Sequence, residues 1–180
     1  MRKNKLEKRM YFLVCYNISA IQQGIQSLHA CVEYSLKYGK DENYIEWAKT
    51  HKTVIILNGG TSNDGTQSVY GYPVHNGSME QHFETLKANK IKCAAFREPD
   101  MNYATTAIAF LVDERVFNRK DYPNFKYTYE DHEKEAKAGK LNEVLDNYND
   151  IKSIRYKQYI KDVGKDVAFL KEFLEPFRMA

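Results

Sequence analysis

The sequence lacks the features that mark secreted, metal-binding and membrane-spanning proteins. Its three cysteines, Cys15, Cys31 and Cys93, lie in apolar runs without paired spacing. This argues against a disulfide framework and against a zinc site. The apolar run 10–15 is too short for the core of a signal peptide and far too short to span a bilayer. These absences predict a soluble, cytoplasmic protein without a membrane segment.

Motifs of several enzyme classes are also missing. Residues 58–61 (Asn-Gly-Gly-Thr) lack the lysine of a P-loop and the three-glycine spacing of a dinucleotide site. No serine has the surroundings of a nucleophile elbow. Four histidines have no metal-ligand spacing: His51, His75, His82 and His132. We therefore expect neither a metal nor an organic cofactor.

The charge of the chain is nearly balanced but unevenly placed. The net charge of +3 is too small to indicate a nucleic-acid-binding protein by itself. Residues 1–9 nevertheless form a basic N-terminal tail, whose cations are Arg2, Lys3, Lys5, Lys8 and Arg9. Such a tail either keeps the chain soluble or contacts phosphate.

Alternating apolar runs and amphipathic stretches predict an α/β fold. Residues 10–16 have the continuous apolar character of a buried central strand, and 53–57, 91–96 and 106–112 resemble further strands. Helical patterns separate the first three strands, which favours crossover units, while the short link to the fourth predicts an antiparallel pair. The expected fold of residues 10–117 is a three-layer α/β/α domain with a small mixed four-stranded sheet.

The character of the chain changes after about residue 117. Charged helical stretches lie over 129–148, and a last amphipathic segment follows over 151–174. We expect residues 118–180 to form a helical C-terminal extension. This extension packs on the sheet domain, forms a homodimer contact or binds another partner; the sequence leaves the three open.

The helix after the first strand carries two parallel stripes. One is apolar, recurs at steps of four and three, and is expected to be the buried face: Ile21, Ile25, Leu28, Val32 and Leu36. The other is polar and follows steps of four, three and four: Gln22, Gln26, His29 and Glu33. A polar stripe beside a buried face is either an ordinary amphipathic boundary or the lining of a cleft.

A second polar group follows the third predicted strand, where open α/β sheets place ligand sites. Pro99 stiffens the turn and directs Glu98 and Asp100 on either side of it. Thr105 and Thr106 open the next strand, and their hydroxyls either satisfy a strand end or bind an oxyanion or phosphate. A histidine, a carboxylate and a threonine hydroxyl at neighbouring strand ends would suit hydrolysis.

The segment Gln26-Ser27-Leu28-His29-Ala30 resembles the Gln-x-x-His-Ala element of the type 2 peptidyl-tRNA hydrolases, the archaeal and eukaryotic type. Lys52–Ile56 is similar to the family's Lys-x-Val-Val strand, Asp100 to its aspartate turn, and Thr106–Ala109 to its threonine-led last strand. One departure is at Gln22, where the family has a lysine seven positions before the histidine. The aspartate turn is also shortened. The resemblance covers roughly residues 10–112.

The resemblance implies a cytoplasmic hydrolase that cleaves the ester between a peptide and the 3′ end of tRNA without a cofactor. It implies three catalytic residues: His29 as general base or water-positioning group, Asp100 as its orienting carboxylate, and Thr106 as a hydrogen-bond donor near the scissile carbonyl. Four further residues are expected to bind substrate: Gln22, Gln26, Glu98 and Thr105. The partner would be tRNA or peptidyl-tRNA, contacted by the basic tail.

Two other interpretations stay open. Gln22 and the long extension favour a catalytically depleted relative that binds RNA, a nucleotide or a protein. A hydrolase acting on another small substrate would use the polar loop 61–77 as a lid.

Overall fold

The computed structural model describes residues 5–62, 77–141 and 147–180. Within them the chain forms a four-stranded sheet of order β2-β1-β4-β3, whose strands are β1 (Lys8–Cys15), β2 (Thr53–Gly60), β3 (Cys93–Glu98) and β4 (Ala104–Asp113). β1 and β2 are parallel, whereas β4 is antiparallel to both β1 and β3. The predicted mixed four-stranded sheet is confirmed.

Seven α-helices are seen in the described parts of the chain. They are α1 (Ala20–Tyr38), α2 (Glu42–Glu46), α3 (Ser78–Ala88), α4 (Glu114–Phe117), α5 (Tyr129–Lys137), α6 (Tyr148–Val163) and α7 (Lys165–Leu174). A π-helical turn (Trp47–His51) follows α2, and a 3-10 turn (Pro99–Met101) links β3 to β4. The helical C-terminal part of the predicted fold is confirmed. Over these same ranges, no helix is long and apolar enough to cross a membrane.

The two central strands, β1 and β4, are buried along almost their whole length. Each has a strand on both sides and helices on both faces, which explains their continuous apolar runs. Lys8 and Arg9, expected in a basic tail, are the first residues of β1. The Lys8 ammonium lies 3.0 Å from the Glu46 carboxylate, and Arg9 Nε lies 2.8 Å from that of Glu7. Both cations are therefore neutralised within the chain.

α1 contacts the sheet through the face opposite to the expected one. Its buried residues are Ser27, Ala30 and Tyr34, and the sheet below them offers Ala107 and Ala109. The five aliphatic residues that we call the α1 stripe are exposed instead: Ile21 (78%), Ile25 (46%), Leu28 (62%), Val32 (49%) and Leu36 (78%). The expectation that this stripe is the buried face is wrong, because small residues on both sides let the helix approach the sheet closely.

α3 covers the opposite face of the sheet. Its residues Met79 and Leu86 are fully buried. Gly59 of β2 has no room for a side chain, because a Cβ there would lie 2.4 Å from the Met79 sulfur. With α1 on one face and α3 on the other, the domain has the predicted three α/β/α layers.

The chain divides into two compact units. The first comprises Met1–Glu114 together with Leu174–Ala180. At the end of the chain, Met179 forms an antiparallel bridge with Leu57 of β2. The backbone N–H of Asn58 also donates to the carbonyl of Arg178 at 2.9 Å. The last residues thus pair with the outer edge of the sheet.

The second unit, Arg115–Phe173, has its own aromatic cluster. The rings of Tyr127 and Tyr148 stack at 5.9 Å, and the Tyr127 hydroxyl lies 3.2 Å from His132 Nδ1. The polar loop 61–77 lies largely outside the described residues, as do residues 142–146 of the charged helical stretches predicted over 129–148.

Candidate functional site

A side-chain amide joins α1 to the sheet where β3 ends and β4 begins. Gln26 Nε2 donates to Glu98 Oε2 at 2.7 Å, and Thr106 Oγ1 donates to Gln26 Oε1 at 2.7 Å. Because an ionised carboxylate only accepts hydrogen bonds, Glu98 determines which end of the amide faces it. The Gln26 oxygen must then face Thr106. Three of the predicted site residues therefore form one polarised chain.

His29 lies one helical turn after Gln26, on a neighbouring position of α1. Its ring contacts Phe96 of β3 edge-on, with 4.4 Å between ring centroids. Its Nδ1 is buried and has no hydrogen-bond partner among the described residues. Buried polar atoms are normally paired. The Nδ1 of His29 is therefore a hydrogen-bonding atom that the described residues leave unused, and a water or a substrate atom reaches it only if the residues around it move.

Thr106 is completely buried, with 0% of its surface exposed. Its hydroxyl donates a hydrogen bond to Gln26. It is therefore placed to position the amide rather than to touch a substrate. The second N–H of Gln26 has no partner within the described ranges, and it remains a donor for a bound molecule.

The side chains of Thr105 and Thr106, at the start of β4, point to opposite faces of the sheet. The pairing of β3 with β4 shifts register between Phe96 and Arg97, and Thr106 is the extra residue of this bulge. Thr105 Oγ1 donates to Glu80 Oε2 on α3 at 2.6 Å, on the other face of the sheet. His29, Gln26, Glu98 and Thr106 are together called the His29 cluster. Thr105, predicted to bind substrate, is not brought to it.

Two further predicted residues stand apart from the cluster. Gln22 is exposed, and its Oε1 accepts from Ser19 N at 3.0 Å, which completes the capping box at the start of α1. Asp100 is exposed in the 3-10 turn. It forms no hydrogen bond or ion pair within the part of the chain that the structure describes, so the predicted contact with His29 is not formed.

A second polar cluster, on the α3 face, has no signal in the sequence. Glu80 is 8% exposed and accepts from both Thr105 and Arg97, the latter at 2.7 Å. Burial alone would raise the pKa of Glu80, but the hydrogen bonds from Arg97 and Thr105 outweigh it and hold the pKa below its ordinary value. Its partners lie 17 and 25 residues away, so no local pattern identifies the cluster.

Two clefts in the first unit lie away from His29 and Gln26. One of about 410 Å³ is lined by Leu36 and Lys37 of α1 and Phe83 of α3. Another of about 340 Å³ is lined by Gly59, His82 and the C-terminal segment 176–178. Neither includes His29 or Gln26. Among the residues that the structure describes, no three metal-ligating side chains converge.

No family model matches the chain, and no curated protein matches it. The chemistry of the His29 cluster and the motif that contains it are therefore what indicate a function.

Proposed function

We propose that this protein is a cytoplasmic hydrolase that cleaves the ester bond of peptidyl-tRNA or N-blocked aminoacyl-tRNA. The observation that carries the proposal is the buried, unpaired Nδ1 of His29, one turn from the Thr106–Gln26–Glu98 chain. The element order supports it, because the motif helix follows β1 and a threonine-led strand follows the Asp100 turn, as the resemblance implies.

In the proposed reaction, substrate binding opens a path to the buried His29 Nδ1, which accepts a proton from a water whose oxygen attacks the ester carbonyl. The free amide N–H of Gln26 donates to the carbonyl oxygen as negative charge develops there. The bond between the carbonyl carbon and the ribose oxygen then breaks. The imidazolium returns its proton to that oxygen, so the products are a carboxylic acid and free tRNA.

Glu98 and Thr106 are positioning residues in this proposal, because each acts through Gln26. Asp100 reaches His29 only if the Pro99–Met101 turn moves when substrate binds. Catalytic contacts often tighten in this way in the substrate complex.

In this proposal the protein binds tRNA or peptidyl-tRNA, and two copies of the chain form a homodimer. Binding of tRNA should weaken as salt rises, because contacts to phosphate release counterions. A reducing compartment is supported by the free state of Cys15, Cys31 and Cys93.

The test is release of free tRNA from N-acetyl-aminoacyl-tRNA by the wild type, His29→Ala and Glu33→Gln. Loss of the general base should reduce turnover by about 10²–10⁴-fold. Glu33 is exposed one turn further along α1, so its neutral variant is the matched control and should keep wild-type turnover. A folded wild type without turnover, or an active His29→Ala variant, would contradict the proposal.

A catalytically depleted binding module is the second candidate, and one observation favours it. Gln22 occupies the position of the family's lysine, and its side chain caps the start of α1. Because an amide is neutral, this position supplies no cation to the site. Gln22→Lys separates the two candidates. A rise in a weak wild-type turnover indicates a depleted hydrolase site, whereas no gain in a folded variant shows that the lysine-dependent mechanism is the wrong one.

A further inference from the structure

The α1 stripe is a continuous apolar surface on the solvent side of its helix. It contributes 5 of the 12 large hydrophobic side chains that are exposed in the described residues. Single exposed apolar residues are ordinary, but a contiguous group of them indicates an interaction surface.

We propose that the α1 stripe is the contact surface of a homodimer, in which two α1 helices pack antiparallel across a two-fold axis. Its residues follow steps of four, three, four and four along α1, and the first three steps are those of a coiled-coil seam. This inference rests on the homodimer proposed above and is independent of the hydrolysis reaction.

The stripe has the symmetry that such a contact requires. In a two-fold dimer the same surface must fit itself, so each residue needs a suitable neighbour in the second copy. An axis midway between Leu28 and His29 brings Ile21 of one copy level with Leu36 of the other. The same axis brings Ile25 level with Val32 and sets the two Leu28 side chains side by side. Aliphatic side chains therefore meet at every level of the contact.

Charge also favours a second copy of this chain. Residues 20–32 include no Asp, Glu, Lys or Arg, although these four types make up 28% of the whole sequence. Two such surfaces meet without like-charge repulsion, whereas a phosphate backbone would find no cation there.

Gly24 provides room beside the stripe. A Cβ at this position would meet nothing within 4 Å, so packing within the described chain does not call for glycine here. Its missing side chain lets a second helix approach the stripe closely.

The size of the surface determines the expected affinity. The segment from Ile21 to Leu36 is about 24 Å long at 1.5 Å per residue, and a helix is about 10 Å wide. The contact therefore covers a few hundred Å² per copy, less than the roughly 800 Å² per partner of a standard interface. We expect a weak dimer with a dissociation constant in the micromolar range.

The first test is sedimentation equilibrium from low micromolar to several hundred micromolar protein. Leu28→Glu sets two carboxylates side by side at the axis and should weaken dimerisation at least tenfold while the protein melts at the wild-type temperature. Ile154→Glu is the matched control, because Ile154 is 50% exposed on α6, and it should dimerise as the wild type does. A monomeric wild type, or an equal effect of the two variants, would overturn the proposal.

Cysteine cross-linking tests the antiparallel arrangement. In a Cys31→Ser background, which removes the most accessible native thiol, Leu28→Cys should form a covalent dimer with itself under mild oxidation. Ile21→Cys should not, but should cross-link when mixed with Leu36→Cys. Cross-linking of Ile21→Cys to itself would instead indicate parallel helices and overturn the arrangement. Turnover measured at nanomolar enzyme is a separate readout, so a failed dimer with intact turnover counts against this inference alone.

Discussion

At the scale of single residues, the Gln26 side chain links two parts of the candidate site, since it hydrogen-bonds to both Thr106 and Glu98. The sequence predicts these three residues as site residues, because the helix motif and the strand ends each have a local pattern. The bulge that turns Thr105 away from this cluster has no such pattern. It depends on how two strands pair, which a single strand does not encode.

Thr106→Val should weaken both the fold and the site. Valine keeps the shape of threonine but removes the only proton that a described residue donates to Gln26 Oε1, so the free energy of unfolding should fall by about 1–2 kcal/mol in urea titrations. Turnover should fall as well, because the amide is no longer held. Thr105→Val is the control, since it breaks the bond to Glu80 on the other face. It should lower stability while leaving turnover per folded molecule near the wild-type value.

The cysteines should be slow to react in the folded protein. Burial raises the pKa of Cys15 and raises that of Cys93 to about 11, so little thiolate exists at pH 8. Cys31 is only partly buried and should react first. Timed labelling with an aromatic disulfide reagent checks this, with Cys31→Ser expected to remove the fastest phase. Rapid labelling of all three thiols without denaturant would contradict it.

At the scale of elements, the ion pair between Glu80 and Arg97 connects α3 to β3. The pKa of Glu80 is lowered in the folded state, so the stabilisation exists above the unfolded-state pKa and is lost as pH falls through the folded one. Glu80→Gln should lower the free energy of unfolding at pH 7 by about 1–3 kcal/mol. The lower end is expected, because the Arg97 side chain is 40% exposed and solvent screens the pair.

The pH dependence distinguishes charge from packing in this variant. The difference in unfolding free energy between wild type and Glu80→Gln should be largest at neutral pH. It should shrink below about pH 4.5, the ordinary value for a glutamate, as the wild-type carboxylate is protonated. Denaturant titrations at several pH values measure it. A difference that stays constant with pH would show that the carboxylate charge is not what matters.

α1 shows what periodicity does and does not reveal about an element. The spacing of Ile21, Ile25 and Leu28 correctly indicates a helix with one apolar side. It does not reveal that the helix faces the sheet with Ser27 and Ala30 instead, because close packing against alanines depends on the partner surface.

At the scale of the whole molecule, the last residues belong to the same compact unit as the sheet, although the second unit separates them from it in sequence. Their backbone pairs with β2, an edge strand that would otherwise present unpaired N–H and C=O groups. Sequence alone placed these residues in the helical extension. Three residues at a chain end have too little pattern to predict such a pairing.

Deleting residues 178–180 should therefore destabilise the first unit. Two backbone hydrogen bonds are lost, those of Asn58 N–H to the Arg178 carbonyl and of Ala180 N–H to the Ile56 carbonyl. We expect a loss of about 1–2 kcal/mol, together with faster aggregation on heating, because the β2 edge is uncovered. Arg178→Ala keeps both backbone bonds and is the control. A truncated protein as stable and as soluble as this control would contradict the prediction.

The sequence by itself determined the α/β class, the four strands and their mixed pairing, and the helix motif with Gln26 and His29. These follow from local patterns: apolar runs, helical spacing and a short link between two strands. Only the tertiary structure decided which face of α1 is buried, where the two threonines point, and that Glu80 is paired. Each of these depends on the shape and polarity of residues far away in the chain, and a local pattern contains no information about them.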